Sequence, residues 1–413
     1  MQKNPEIIAG VDVGTTKVVA TVAEVSGSEI EIIGIGSHLC KGLQKGIVVN
    51  IDNTALAIKQ AVEQASQQAG CHISCVVVAV SGQTLSRNST GMVTVRGREV
   101  DREDVERVLE AASSVALPPD QKVIHIIPQE FIVNGQDGIK NPVGMCGVRL
   151  ETRVHLITAG ESNLQNLTKC INRGGLEIET FVLDHLAGSL AVLQDDEKEL
   201  GVAFVDIGGG SINILIYIDE SVMYTATLPI GSMHVTKDIA VGLNTPLSSA
   251  ESIKQKHGHA ICDMVDEDEE IDIPMVGGRP EQKISRRSLC RIVQPRVEQT
   301  VDYINRALQQ STLTSALASG VVLAGGGSIL PGLPELAHEI LSMPVRRGKP
   351  FGVGGMANML EGPQYATSVG LIRFAAETED VCYHVPEAAK KDAPRIRRKS
   401  VWSAMGEWFK EII

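Results

Sequence analysis

Ile8-Ala-Gly-Val-Asp12-Val-Gly-Thr-Thr-Lys17 and Val202-Ala-Phe-Val-Asp206-Ile-Gly-Gly-Gly-Ser211 are the two stretches that decide how this chain is read. Each is an apolar run ending in Asp-x-Gly, followed by a turn of small residues and a second apolar run, at 18–25 and 212–218. Apolar runs of that length bounded by Gly, Thr and Ser read as paired strands. The two aspartates stand 194 positions apart, about one domain length, so the chain reads as internally duplicated.

A tight hairpin of this kind turns backbone N–H groups and hydroxyls toward an anion. Glycine lets the backbone come close, and the aspartate can hold Mg²⁺ through water, because that ion keeps several of its waters. One Asp-Gly turn is an ordinary hairpin loop. Two, from duplicated halves, can grip one polyphosphate from opposite sides. A third Gly-rich turn follows another apolar strand at Gly320-Val-Val-Leu-Ala-Gly325-Gly-Gly-Ser328.

Outward from these turns, a third strand is expected at 29–35, a helix over 54–69 with Asn53 as its N-cap, and a strand buried on both faces at 73–80. From about 84 to 158 the pattern changes. A helix opens at Asp101, where Asp104 can support the cap, and strands at 123–133 and 153–158 flank a Gly/Pro-rich loop. This reads as a small α+β insertion. Helix 162–173, strand 177–183 and helix 184–193 resume an α/β rhythm. After the second hairpin come a helix beyond Pro246, a long helix over 288–310 and a last compact helix at 364–376. The expected fold is α/β, a ribonuclease-H-like duplicated two-domain architecture. Its parts are a first domain 1–195 holding an insertion at about 84–164, and a second domain 196–376 with a smaller subdomain at about 230–300. A linker over 377–398, basic toward its end, and an amphipathic helix over 399–413 follow.

Composition agrees with two soluble domains. The chain has 413 residues, 43% of them hydrophobic and 21% charged, which excludes wholesale disorder. A net charge of -12 argues against nucleic acid as a partner. No run of about 18 apolar residues is present, and the opening segment is broken by Gly10, Asp12 and Gly14, unlike a signal peptide. The eight cysteines are scattered and the closest pair, Cys71 and Cys75, lacks Cys-x-x-Cys spacing, so reduced thiols and a cytoplasmic location are expected.

The tail has its own chemistry. Residues 390–399 carry six Lys/Arg against Asp392, a net of +5 that leaves -17 for the rest. Both tryptophans lie in the last twelve residues. At about 100° per residue, Val401, Trp402, Met405, Trp408, Phe409, Ile412 and Ile413 share one arc. A basic segment with Arg397, Arg398 and Lys399 leading into such a helix is what an interfacial anchor on anionic lipid needs. The alternative is a terminal helix packed on the core, which leaves the clustering of tryptophan behind a basic run without a reason.

The three turns resemble those of the actin, Hsp70 and sugar-kinase ATPase superfamily, which implies an actin-like fold binding ATP and Mg²⁺. By that resemblance Gly14, Thr15, Thr16 and Lys17 form a first phosphate loop, and Gly208, Gly209, Gly210 and Ser211 a second. Asp12 and Asp206 are the Mg²⁺-associated acids, and Gly325, Gly326 and Gly327 pack against adenosine. Glu251 and Lys254 fall where the superfamily contacts ribose and adenine, or else form a surface ion pair at i,i+3.

Within that superfamily the chain resembles the FtsA family of bacterial division proteins. The resemblance is carried by Ile127-Pro-Gln-Glu-Phe131, Gly138-Ile-Lys-Asn-Pro-Val-Gly144, Val154-His-Leu-Ile-Thr158, Thr245-Pro-Leu, Ala250-Glu-Ser-Ile-Lys254 and Val276-Gly-Gly-Arg-Pro280. It implies an adaptor more than an enzyme, at most a weak ATPase, that self-associates and binds the C-terminal tail of FtsZ. It also implies a peripheral location on the cytoplasmic face of the inner membrane at the division site. The FtsZ surface is implied near Arg286, Arg287, Arg291 and Arg296, whose bland alternative is a solvated helix face. Two residues depart from the pattern. Asn213 stands where many relatives have an acid, and Asp184-His185 stands where many have Glu-Pro. Binding is expected to survive these changes and hydrolysis to suffer. The competing expectations are a sugar-kinase-like phosphotransferase and a pilus-assembly adaptor of the same fold.

Overall fold

A computed structural model gives the structure of the protein over residues 6–82 and 84–377. The first half opens with a meander, β1 (Glu6–Val13), β2 (Lys17–Ser26) and β3 (Glu29–Leu39), followed by the short hairpin β4 (Leu43–Gln44) and β5 (Ile47–Val48). Helix α1 (Ile51–Ala69) starts three residues earlier than the sequence pattern implies, because its N-cap is Asn50, whose side chain accepts from the Asn53 N–H, and not Asn53 itself. Strand β6 (Cys75–Val80) leads into β7 (Thr84–Thr94), α2 (Arg102–Ser113), β8 (Gln121–Val133), β9 (Gln136–Ile139) and β10 (Arg149–Gly160). The expected cap of α2 forms as a reciprocal pair, with Asp101 accepting from the Asp104 N–H and Asp104 accepting from the Asp101 N–H. Then α3 (Glu161–Arg173), β11 (Glu177–Leu183), α4 (Asp184–Val192) and α5 (Asp195–Leu200) complete this half.

The second half repeats the meander as β12 (Val202–Ile207), β13 (Ile212–Ile218) and β14 (Ser221–Leu228). After these come α6 (Met233–Gly242), α7 (Leu247–His257), the hairpin β15 (Glu270–Ile273) and β16 (Gln282–Ser285), and α8 (Arg286–Gln310). Strand β17 (Val321–Ala324), α9 (Leu333–Leu341), β18 (Val345–Arg347), β19 (Gly354–Gly355) and α10 (Ala366–Glu377) close the described chain.

The duplication is written in the sheets. The first runs β11-β6-β1-β2-β3, with β19 added beyond β3, and the second runs β18-β17-β12-β13-β14. In both, the two outer strands and the first meander strand are parallel and the meander itself is antiparallel. This is the expected duplicated α/β architecture. A separate four-stranded sheet, β7-β10-β8-β9, covers α2 and has its own apolar cluster of Val105, Val108, Leu109, Leu150, Val154 and Leu156. The mostly polar stretch Thr84–Thr94, unassigned from sequence, is the edge strand of this sheet, exposed along most of its length.

Two helices join the halves. Helix α4 is buried at every residue, Asp184, His185 and Ser189 included, and crosses α10 at very close range. A Cβ on Gly370 would lie 1.7 Å from the Ala187 carbonyl oxygen, and one on Gly188 would lie 2.9 Å from the Phe204 ring. Only glycine permits this crossing. The inserted sheet also reaches the second half, through a polar seam on β14. The Ser86 hydroxyl donates to the Thr225 carbonyl at 3.1 Å and the Gln129 amide to the Val222 carbonyl at 3.0 Å. The buried His155 bridges Asn88 at 2.7 Å and the Thr225 hydroxyl at 3.1 Å. These side chains satisfy the carbonyls of a sheet edge that would otherwise be bare.

Candidate functional site

The two Asp-x-Gly hairpins close in the same way. The Gly14 N–H donates to the Lys17 carbonyl at 3.0 Å, and the Gly208 N–H to the Ser211 carbonyl at 2.9 Å. Asp12 pairs across its hairpin with Val19, and Asp206 across its own with Asn213, the same register in each copy. The turns face each other. A Cβ on Gly209 would stand 2.6 Å from Thr16 Cγ2, and one on Gly210 would stand 2.9 Å from Thr15 Oγ1. These glycines therefore admit the opposite turn as well as any ligand. Behind the second turn, the Ser232 and Met233 N–H groups donate to the carbonyls of Gly208 and Gly209 at 2.9 and 3.0 Å, anchoring it to the start of α6.

The third turn joins them from the side. Gly325 has φ 79°, and a Cβ there would fall 2.1 Å from Asp206 Oδ1, so no other residue fits. A Cβ on Gly327 would fall 2.4 Å from Ile207 Cγ2. Two of the three glycines expected to face adenosine thus pack on the end of β12, while Gly326 is exposed.

Three carboxylates, Asp12, Asp184 and Asp206, act on one another in this cleft. Burial and the charge of Asp184 push Asp12 up to about 7, against the pull of Lys17. Burial, Asp184 and Asp12 push Asp206 up to about 8, opposed by the Thr367 hydroxyl 3.5 Å away. Burial also lowers the Lys17 ammonium below its ordinary value, and Asp12 opposes that shift. Asp184 is buried at the start of α4, where its carboxylate accepts from the His185 N–H and faces His185 Nδ1, each at 2.7 Å. In the sequence Asp184 stands out only as a departure from the superfamily pattern. Its charge acts on both Asp12 and Asp206, a relationship that depends on strand order, which no local motif signals.

The other expected site residues lie apart or are already engaged. Lys254 and Glu251 pair at 2.7 Å on α7, and Lys254 reaches the Thr236 hydroxyl at 2.9 Å, next to the segment that anchors the second turn. Lys254 and hydrogen bonds from Lys254, Thr236 and Gln255 hold Glu251 below its ordinary range although burial works the other way. Arg286 pairs with Glu269 at 2.7 Å, Arg287 with Asp263 at 2.9 Å and also with Glu267, and Arg296 with Asp238. All three sit on α8 with internal acidic partners. Arg291, on the same helix, is exposed. Arg397, Arg398, Lys399, Trp402, Met405, Trp408, Phe409 and Ile412 lie outside the described residues.

A duplicated sheet with paired Asp-x-Gly turns across an acidic cleft defines a protein of the actin fold. Known structures agree. The PilM-PilN type IV pilus biogenesis complex aligns with a TM-score of 0.64 at 18% identity, over 90% of this chain and 98% of that one. MreB5 of Spiroplasma citri bound to ADP aligns at 0.55 and 14% identity, over 91% and 97%. At such identities the likeness is one of fold. Sequence relatives are much nearer. Cell division protein FtsA of Pseudomonas aeruginosa is 42% identical over 376 residues, covering 91% of this chain and 90% of that protein. FtsA of Escherichia coli (strain K12) is 36% identical over 416 residues, 98% and 96% of the two, and that of Bacillus subtilis is 36% identical over 394, 94% and 88%. Residues 203–370 match the family described as Cell division protein FtsA, and residues 81–158 match the SHS2 domain inserted in FTSA. The chain belongs to the FtsA family of cell division proteins.

Proposed function

We propose that this chain is an ATP-binding adaptor of the division machinery, holding Mg²⁺-ATP between its two hairpins, a division filament on one face and the membrane through its tail. The observation that carries the nucleotide reading is the charge in the cleft. Asp12 and Asp206 arrive from matching positions with pKa values raised by burial and by the charge of Asp184, and only Lys17, acting on Asp12, and the Thr367 hydroxyl, acting on Asp206, oppose those shifts. A divalent cation would relieve that imbalance. Among the described residues no group of three or more side chains is arranged to cage an ion. That suits Mg²⁺, which keeps its waters and uses substrate phosphates as ligands. Bound there, the cation would neutralise phosphate charge, while Asp12 and Asp206 would hold its waters and the two turns would flank the phosphates. The fold neighbour MreB5 was solved with ADP, which is in keeping with this use of the cleft.

The adaptor reading adds three surfaces. Self-association would use the inserted sheet and the smaller subdomain of the second half. The C-terminal tail of FtsZ, an acidic and apolar peptide, would meet the α8 face of Arg286, Arg287, Arg291 and Arg296, exchanging with the acids that hold three of them. Anionic lipid would take the basic run and aromatic arc at 390–413, making the protein peripheral on the cytoplasmic face of the inner membrane. No helix among the described residues is long and apolar enough to cross a bilayer.

Calorimetric titration of the full chain with ATP and Mg²⁺ tests the site. Asp12→Ala and Asp206→Ala are expected to weaken binding and to shrink the ATP-dependent rise in Tm by linkage. Unchanged affinity in both variants sinks the site, and turnover of order 10 s⁻¹ or faster sinks the adaptor reading.

A further inference from the structure

One five-residue segment touches the first and third turns of the cleft and the aspartate that leads into the second. Pro363–Tyr365 forms a single helical turn just before α10. The Gly325 N–H donates to the Pro363 carbonyl at 3.0 Å, which ties the third turn to it. Thr367, on the first turn of α10, places its hydroxyl 3.5 Å from Asp206 Oδ2 and 3.4 Å from the Asp184 carbonyl. Between them, the Lys17 ammonium of the first turn lies 4.1 Å from the centroid of the Tyr365 ring.

The choice of partner for Lys17 has chemical content. The ammonium is partly buried, and among the described residues no carboxylate lies within ion-pair distance of it. Asp12 acts on it only through space. A carboxylate partner would cancel the charge that a phosphate needs. An aromatic face holds a cation by its quadrupole and leaves that charge in place. It also confines a four-carbon stem that is otherwise free among many rotamers.

We propose that Tyr365 is a positioning residue of the cleft: its ring holds the Lys17 ammonium ready, and a nucleoside polyphosphate takes the ammonium over on binding. This rests on the nucleotide reading of the cleft. The ring, and not the hydroxyl, carries the effect, so phenylalanine serves as well as tyrosine. The segment then connects occupancy of the first turn to Gly325 and to Asp206, because the residues beside Tyr365 hold both.

The test is a double-mutant cycle on the full chain, read by calorimetric titration with ATP and Mg²⁺. Tyr365→Leu is expected to lower affinity about three- to tenfold, in keeping with a partly desolvated cation–π contact. Tyr365→Phe is expected to bind like the wild type. In a Lys17→Met background, Tyr365→Leu is expected to add nothing, because the two act through one contact. Wild-type affinity in Tyr365→Leu overturns the proposal, and so does an equal loss with and without Lys17, which is the mark of a merely structural residue. Should Tyr365→Leu fail to fold, the indole introduced by Tyr365→Trp replaces it. Its emission is expected to shift on ATP addition when Lys17 is present and to stay fixed in Lys17→Met, and a shift in both overturns the proposal. A wild-type chain that does not bind ATP at all removes the nucleotide reading itself, a result distinct from any of these.

Discussion

The Asn213 amide donates to the Asp184 carboxylate at 2.8 Å, joining the second strand of the second half to the helix that enters it from the first. Both side chains are buried. Read in sequence they are two unrelated departures from the superfamily pattern. In the fold they are one contact, an acid facing an amide where an acid facing an acid would need a cation to hold it together.

Asn213→Asp is therefore expected to destabilise the nucleotide-free protein by about 1–3 kcal/mol, since a hydrogen bond is replaced by a buried like-charge contact. Mg²⁺ should return part of that loss. Melting curves with and without Mg²⁺ read the effect, and an unchanged Tm would mean that the contact contributes nothing.

Asp206→Asn is expected to act in opposite directions on stability and binding. Asp12 and Asp206 are raised from 3.8 to about 7 and 8, so the folded state holds more protons than the unfolded state between about pH 4 and 8. Stability then falls as pH rises through that window. Removing the Asp206 charge should let the nucleotide-free variant melt above the wild type at pH 8 while it gains less from Mg²⁺-ATP. Lower Tm for the variant at pH 8 would contradict the electrostatic account.

Gly370→Ala is expected to be among the most damaging single changes in the chain, losing at least about 3 kcal/mol. The new methyl would meet the Ala187 carbonyl at 1.7 Å, a backbone atom within a fully buried helix that has nowhere to go. Gly27→Ala, with open space around it, makes a control for expression and handling, although its φ of 65° carries a small strain of its own. Equal Tm for the two variants would rule out a tight helix crossing.

The polar seam predicts a response to acid. Burial, and to a smaller extent the charge of His185, lower His155 to about 4. The unfolded chain takes up that proton near 6.5 and the folded chain refuses it, so stability drops as pH falls from about 6.5 toward 4. His125, lowered to about 3, adds a loss of the same sign. His155→Gln should reduce the difference in urea stability between pH 7 and pH 5 without removing it. An identical difference in variant and wild type would place His155 outside the linkage.

Membrane attachment is expected to depend on the aromatic arc. Trp408→Glu should release the full chain from anionic liposomes in co-sedimentation and leave ATP binding intact. High salt should weaken attachment only in part, because the apolar contribution is unscreened. A chain ending at Pro394 that still sediments as well as the full chain would end this reading.

What was legible in the sequence was local. The two hairpins, the third turn and the cap at Asp101 each announce themselves within ten residues, and the repeat of one pattern at domain spacing yields the duplicated sheet. The start of α1 was misplaced because Asn50 and Asn53 are both good caps, and only the hydrogen bond between them decides. The edge strand Thr84–Thr94 went unseen because a strand exposed on most of its residues shows no alternation to read. Tertiary facts were out of reach for a different reason. That Gly210 makes room for Thr15, that the charge of Asp184 acts on both Asp12 and Asp206, and that Tyr365 lies over Lys17 are all meetings of residues far apart in the chain. Three of the four arginines expected to await an acidic peptide already hold acids of their own, a pairing that sequence distance conceals.

Strand β14 has one end at each of two events. Three residues beyond it, Gly231 is wedged against the carbonyls of Gly208 and Gly209, and along its length Val222 and Thr225 carry the bonds from the inserted sheet. A strand in a ladder neither stretches nor compresses, and about 3.3 Å per residue puts roughly 10 Å between Thr225 and Leu228, where the strand ends. It is a strut. It ties the segment packed on the second turn to the inserted sheet through one short run of backbone. The joint at the far end is made of hydroxyls, an amide and an imidazole, groups that water can satisfy when they part. Such a joint slips and re-engages without baring apolar surface, which is how a clutch differs from a weld.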